Sequence, residues 1–397
     1  MSTATASDKA LLVAPKAPKP PAAETLVRIA RQFGVNPLRQ WKEMIVLARG
    51  PGKLAADEYV STGAFKAEFD MDAKKEFLGK TSSTAINEAA NNRKFCATRG
   101  FVADKALYTY LLNKMGFRAA HNQAVAHTRR RLGDIPVLSG PDDIVDFLQN
   151  RAEYPLFGKP INGSGSIGSV LIRELDASSG TLKLGNGRDI DMHQFAREAV
   201  ADYPEGFLFQ SALRQHPELT RAVGDAVGAL RILTIREKTG ISVLYTLWKI
   251  PSPSAMSDNY WQDGSMIALI GADGQIEKCM TGAGPEHRAL EAHPTSGVRF
   301  DEIQMPDMAQ AHQLAIEAHS IFPEFGVVGW DMAMCEDGPT IIEANDNPYH
   351  VLYQVASGRG ARNAEFGPRF EAVAAETKRM IGDDYATYKA REKAKMS

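Results

Sequence analysis

Gly329-Trp330-Asp331-Met332-Ala333-Met334-Cys335-Glu336-Asp337-Gly338-Pro339-Thr340-Ile341-Ile342-Glu343-Ala344-Asn345 is the stretch whose reading decides the fold. Two apolar runs flank an Asp-Gly turn signal, a pattern that predicts a β-hairpin. Asp331, Glu343 and Asn345 are the polar exceptions within those runs. Glu343 and Asn345 lie two apart and so share one face of their strand. With a three-residue loop pairing Cys335 with Pro339, Asp331 falls opposite Glu343 on that face, and a slip of one residue would part them. Two carboxylates and an amide oxygen would then converge as the hard oxygen donors that Mg²⁺ takes. Alone, the same residues also suit a hairpin with solvated edge carboxylates, so the rest of the chain has to decide.

The chain has 397 residues. At roughly one domain per 150 residues, that length allows two or three structural units. A hydrophobic content of 44% and a charged content of 24% are ordinary for a globular protein with a substantial core. The formal charge of −2 gives no general argument for nucleic-acid binding. Cys96, Cys279 and Cys335 are widely spaced, fit no metal motif and read as reduced thiols of a cytoplasmic protein. No apolar run approaches about 18 residues and no signal-peptide core is evident, so neither a membrane span nor an export signal is expected.

Residues 1–22 are rich in Ala, Pro, Lys and Ser, and read as a flexible tail. Residues 23–95 carry helical patterns punctuated by Gly and Pro, as in LVRIARQFG and LRQWKEMIVLARG. From Asp104 the character changes. Residues 104–112 form an amphipathic helix, and residues 141–151 form another, opened by Pro141-Asp142-Asp143. Strands are expected at PLFGKPI, VLIREL, FLFQSAL, ALRILTIRE, SVLYTLWKI and MIALIGADGQIEK. A helix within MPDMAQAHQLAIEAHSIFP then precedes the acidic hairpin. Strand-rich lobes with a few interleaved helices indicate an α+β protein. Residues 386–397 form a C-terminal tail.

Four features carry chemistry. Lys159 precedes the loop Gly163-Ser164-Gly165-Ser166-Ile167-Gly168, where backbone N–H groups and hydroxyls can approach phosphate oxygens closely. The loop is neither a P-loop nor a dinucleotide fingerprint, because VLIREL follows it as a strand. A hairpin closing over phosphates is the functional reading, and a flexible surface hairpin the plain one. Lys105 opens a helix just after Asp104, and by itself also suits a solvated position. In FLFQSALRQ, an apolar strand turns polar at Gln210-Ser211. It can offer backbone groups to an adenine edge with Gln215 near the ribose, or serve simply as a core strand. Last comes the polar set Arg231, Lys249, Asp258, Asn259 and Arg288. Arg231 interrupts an apolar strand, where a buried guanidinium needs an anionic partner, either a ligand phosphate or a core carboxylate. Arg129-Arg130-Arg131 is a short basic run that suits a solvated face or an acidic partner.

In combination, these features resemble the ATP-grasp superfamily from about residue 95 to 355. FLFQSALRQHPEL, ALRILTIRE and the segment from Ser257 through HPTSGVRF to GWDMAMCEDGPTIIEANDNP more narrowly resemble the sugar-transfer-associated ATP-grasp family, related to α-L-glutamate ligases. The resemblance implies an ATP-grasp domain over 96–385, in which two α+β lobes grip ATP behind a helical N-terminal region. It makes Lys105 and Lys159 the phosphate lysines, Gly163–Gly168 the flap, and Gln210, Ser211 and Leu213 part of the adenine hinge. It makes Asp331, Glu343 and Asn345 ligands of Mg²⁺, with Glu343 bridging two ions. Many carboxylate ligases of the superfamily carry an Arg two positions before the metal Asp. Here that position is Gly329, and Arg231 is the candidate to replace it as a catalytic group. No acidic ribose ligand is evident after the hinge, which leaves Gln215 and His216. The implied reaction joins a small-molecule carboxylate to an amine, or to a thiol or hydroxyl, through an acyl-phosphate. A phosphotransferase on the same fold and a nucleotide-binding scaffold without turnover stand as alternatives.

Overall fold

The computed structural model describes residues 22–92, 96, 98–163, 166–252, 255–258, 260 and 263–395. The expected tail at 1–22, save Ala22, lies outside these residues, as do Ser164, Gly165 and Asn259. Two seven-stranded sheets dominate. The first contains β1 (Asn122–Ala126), β2 (Val137–Leu138), β3 (Leu156–Pro160), β4 (Val170–Asp176), β5 (Thr181–Leu184), β6 (Asp189–Asp191) and β7 (Phe207–Ser211), in the order β2-β1-β7-β3-β4-β5-β6. The second contains β8 (Ala229–Glu237), β9 (Gly240–Ile250), β10 (Met266–Ile270), β11 (Ile276–Thr281), β12 (Arg288–Leu290), β13 (Val327–Cys335) and β14 (Gly338–Asn345), in the order β12-β11-β10-β9-β8-β13-β14. This mixed α/β architecture of two sheet-bearing lobes behind N-terminal helices is the ATP-grasp arrangement.

The first sheet buries one face chiefly under two helices, and the second is covered by helices on both faces. Helices Pro141–Asn150 and Met192–Asp202 cover the first, with Ile144, Phe147 and Phe195 packed on Leu156, Phe207 and Phe209. On the second sheet, Trp330, Met332 and Met334 alternate inward from β13 to meet Met308, Ala311, Ala315 and Ala318 of helix Met308–Ser320. Gly329, Asp331 and Ala333 therefore face the opposite side of the sheet. The stretch MIALIGADGQIEK is two strands rather than one. Asp273-Gly274 turns the chain between β10 and β11, with Gly274 at φ +88° and the Asp273 side chain accepting from the Gln275 N–H.

The N-terminal helices divide their allegiance. Ile29, Leu47, Leu54, Tyr59, Phe65 and Phe77 form a separate core, within which Glu43 accepts from Lys74 (2.5 Å) and Tyr59 (2.7 Å). The next segment, around helix Lys80–Ala90, packs instead on the second sheet, with Leu78 and Ala90 beside Ile235, Val327 and Val373. Helix Phe366–Lys395 continues through 386–395, the stretch the sequence assigned to a C-terminal tail.

Candidate active site

The decisive hairpin forms, but by a different route to its register. Its turn holds two residues, since Cys335 pairs with Gly338 rather than Pro339, and Gly338 adopts φ +112°. That turn alone would displace Asp331 from Glu343. A bulge at Ile342 restores the alignment, so Met332 pairs with Ile341 and Asp331 with Glu343. Asp331, Glu343 and Asn345 consequently line one cavity of about 500 Å³ between the two sheets. The Asn345 amide nitrogen donates to the Gly329 carbonyl (3.3 Å) and to a Glu343 oxygen (3.4 Å), which leaves its Oδ1 as the atom able to ligate a metal.

Asp331 is buried and heavily cation-bound. Arg231, its neighbour on β8, sets a planar fork on it through Nε (2.5 Å) and Nη2 (2.9 Å). Lys249 from β9 reaches the same carboxylate at 3.0 Å and Asp258 at 2.6 Å. Burial alone would raise the Asp331 carboxyl, but Arg231 and then Lys249 hold it well below the usual carboxylate range. Asp258 lies the other way, its carboxyl pushed up by burial against the pull of Lys249. Gly329 explains how Arg231 fits. A Cβ there would lie 3.2 Å from Arg231 Cδ and 2.8 Å from Pro348 Cβ, so the absent side chain leaves the passage through which the Arg231 arm runs. Arg288 stands apart, exposed on the edge strand β12.

The two lysines predicted for phosphate reach the same cavity from the other lobe. Asp104 caps helix Lys105–Lys114 through the Leu107 N–H (2.9 Å) and receives Arg130 (2.5 Å), so one arginine of the basic run takes the acidic-partner alternative. Lys105 thus sits at the positive end of a helix dipole, an unfavourable place for a cation that an anion would relieve. Its ammonium donates to Gly163 O (2.7 Å) and stands 3.8 Å from Glu343. The helix is tied to β14 by Tyr108, whose hydroxyl donates to Ile342 O (2.6 Å). Lys159 is 5% exposed and has no hydrogen-bond or ion-pair partner among the described residues. Burial lowers its ammonium to about 8, and Lys105 pushes it the same way.

Between β3 and β4 the Gly/Ser loop joins two antiparallel strands. Gly163 and Ser166 line the cavity, and the Ser166 hydroxyl donates to Asp258 O (3.1 Å) across the cleft. Gly168 does not line it. A Cβ there would strike the Tyr203 hydroxyl at 2.1 Å, so this glycine serves a close approach behind the loop.

Gln210, Ser211 and Leu213 line the cavity, whereas Gln215 does not. The Gln210 amide donates to Asn122 (2.7 Å), which in turn donates to Ala106 O (3.0 Å), tying the hinge strand to the Lys105 helix. Gln215 is consumed in pinning a loop: it donates to Gly224 O (2.9 Å) and accepts from the Gly228 N–H (2.8 Å). His216 caps helix Pro217–Val223. The Gln215 amide is thus engaged at both its oxygen and its nitrogen, and the His216 ring at Nδ1. Sequence reasoning missed the wall formed by Asn347, Tyr349 and Leu352. Asn87 holds it from behind, donating to Asn347 Oδ1 (2.9 Å) and Pro348 O (2.8 Å), while Asn91 donates to Asp346 O (2.6 Å). The one available signal was adjacency, since Asn347 follows Asn345 by two positions.

The donor set fits a hard divalent cation: two carboxylates and one amide oxygen on a shared face, with room for phosphate oxygens to complete the shell. Among the described residues no group of three or more His, Cys, Asp or Glu side chains gathers as a metal site, and this set, with two carboxylates and an amide, would rely on phosphate oxygens and water for its remaining ligands. The unpartnered Lys159 and dipole-opposed Lys105 fit a polyphosphate. Solved structures similar to this chain include the D-alanine–D-alanine ligase from Coxiella burnetii (11% identity, 73% of this chain and 62% of that one, TM-score 0.42). Another is N5-carboxyaminoimidazole synthase from Aspergillus clavatus in complex with ADP and 5-aminoimidazole ribonucleotide (12%, 76% and 58%, 0.38). The chain therefore spans about three-fifths of the length of each. No curated protein matches by sequence. A family model described as sugar-transfer associated ATP-grasp matches residues 84–367, most of the chain and all of the cavity; this protein belongs to that family.

Proposed function

We propose that this protein is an ATP- and Mg²⁺-dependent ligase that joins a carboxylic acid to an amine, or to a thiol or hydroxyl, through an acyl-phosphate. The observation that carries the reading is one cavity bringing together Lys105, Lys159, Asp331, Glu343 and Asn345 from two sheets. In the reaction, a substrate carboxylate oxygen attacks the γ-phosphorus of ATP and the bond to ADP breaks. The acceptor then attacks the acyl carbon, phosphate leaves, and the acceptor gives up a proton to solvent. Lys105 and Lys159 hold phosphate oxygens, the 211–213 segment receives the adenine, and Arg231 offers its Nη1 edge to the developing negative charge. Asp331, Glu343 and Asn345 would hold Mg²⁺, which would supply neutralisation of phosphate charge when bound.

Three free, buried cysteines and the requirement for ATP support a cytoplasmic setting. The family's sugar-transfer association puts sugar and cell-surface glycan intermediates first among acids and acceptors to be tried. The test is a screen of acid–acceptor pairs with ATP and Mg²⁺, following both phosphate and product mass. Ligation gives ADP, phosphate and a condensed product. ADP with a phosphorylated substrate would instead establish a phosphotransferase, and nucleotide binding without turnover a scaffold.

A further inference from the structure

We infer that Lys249 is the exchangeable partner of Asp331: it yields that carboxylate to the entering cation and turns to the anionic group being transferred, as a further catalytic residue. The inference rests on the proposed metal site. Its basis is a crowded carboxylate. Asp331 receives three N–H donors, and its Oδ2 alone receives both Arg231 Nη2 at 2.9 Å and Lys249 Nζ at 3.0 Å. An ionised carboxylate has about four lone-pair sites, so a metal ion can bind this one only at the edge of its capacity and beside two positive charges. One partner must give way. Arg231 is poorly placed to do so, because its fork is bidentate and its arm is threaded over Gly329. Lys249 has somewhere to go. It already stands 2.6 Å from Asp258, its stem is flexible, and its ammonium lines the cavity that holds Lys105 and Lys159. Released from Asp331 and still anchored by Asp258, it would face the phosphoryl oxygens.

A purely structural Lys249, needed to hold Asp331 in place, predicts the opposite effect on the metal. Mn²⁺ is the probe, with its free concentration read by electron paramagnetic resonance against the full chain and ADP. Removing the competitor in Lys249→Met should tighten Mn²⁺ binding by about tenfold, within the range of coupling between two ligands of one site. In the same variant, the non-hydrolysable β,γ-methylene analogue of ATP should lose its advantage over ADP. Asp258→Asn removes the alternative anchor and should weaken Mn²⁺ binding. Lys249→Gln provides a second, polar replacement, with melting temperature recorded for each variant. Mn²⁺ binding unchanged or weakened in both folded Lys249 variants overturns the exchange while leaving the metal site standing. A wild-type chain that takes up no Mn²⁺ with ADP overturns the site itself and the inference with it.

Discussion

The two lobes meet the same cavity with opposite electrostatic preparation. On the first, Lys159 is buried without a hydrogen-bond or ion-pair partner among the described residues, and Lys105 opposes a helix dipole, satisfied chiefly by a loop carbonyl. On the second, Arg231 and Lys249 are fully engaged by Asp331 and Asp258. The site lysines of the first lobe have no close carboxylate partner of their own lobe, whereas Arg231 and Lys249 of the second are matched by Asp331 and Asp258. An anion is therefore stabilised most where the chain is least satisfied, and a cation must enter where it is most satisfied. This difference predicts that lysine losses on the first lobe and carboxylate losses on the second affect stability with opposite sign.

The largest separation should come between the two carboxylates of the hairpin. Glu343→Gln removes a proposed metal ligand that stands 3.8 Å from Lys105 and also acts electrostatically on Lys159 and Arg231, without a short ion pair of its own among the described residues. It should abolish turnover while leaving the melting temperature near that of the wild type. Asp331→Asn leaves two buried cations short of their partner and should cost about 3–5 kcal/mol of folding stability. Calorimetry and steady-state rates on both variants check this. Near-normal turnover in Glu343→Gln would break the metal assignment.

Arg231 tests whether the second lobe's neutrality serves more than stability. Arg231→Met strands Asp331 on Lys249 alone and should lower both stability and kcat. Arg231→Lys keeps the charge but loses the fork, so it should lower kcat more than ATP affinity. A destabilised Arg231→Met enzyme whose folded fraction turns over normally would reduce Arg231 to a structural ion pair.

On the first lobe the sign should reverse. Lys159→Met removes a buried, unpartnered ammonium and should stabilise the ligand-free protein by about 1–3 kcal/mol. It should also weaken ATP binding by about 1.5–3 kcal/mol, the worth of a charge-assisted contact. Thermal melts with and without ATP would show both shifts. A destabilised ligand-free variant would mean that Lys159 has a structural partner and is not held for a ligand.

How much of this was legible in the chain depended on sequence distance. Period-two alternation and an Asp-Gly turn gave Asp331, Glu343 and Asn345 one face, and a helix-capping Asp104 marked Lys105. The compensation between a two-residue turn and the Ile342 bulge left no mark, because an extra residue inside an apolar run resembles its neighbours. Nor was the partner of Arg231 visible: Asp331 lies 100 positions away and Lys249 lies 82 from it, and only strand order brings them together. Gln215 shows the converse error. Proximity to the hinge in sequence suggested a ligand role, while its amide was already committed to Gly224 and Gly228.

The smallest effect, and the one most specific to the first lobe, is in the pH dependence. Lys159 titrates near 8 in the folded chain, against 10.5 for an ordinary lysine, because burial disfavours its charge. Between those values the unfolded chain binds more protons than the folded one, so this residue makes stability rise with pH across about 8 to 10.5. Below 8 the cost of its buried charge is fully present in the ligand-free state. ATP binding should run the other way. It is strongest where Lys159 is protonated and should weaken as pH rises through 8. Lys159→Arg stays charged throughout and should flatten that decline between pH 7 and 9.5, in titrations at constant ionic strength. The arms of the second lobe give no such inflection, because Arg231 is raised further by Asp331, and Lys249 by Asp258 and Asp331, against the pull of burial. An equal decline in wild type and Lys159→Arg would place the titrating group elsewhere and remove the electrostatic contrast between the lobes.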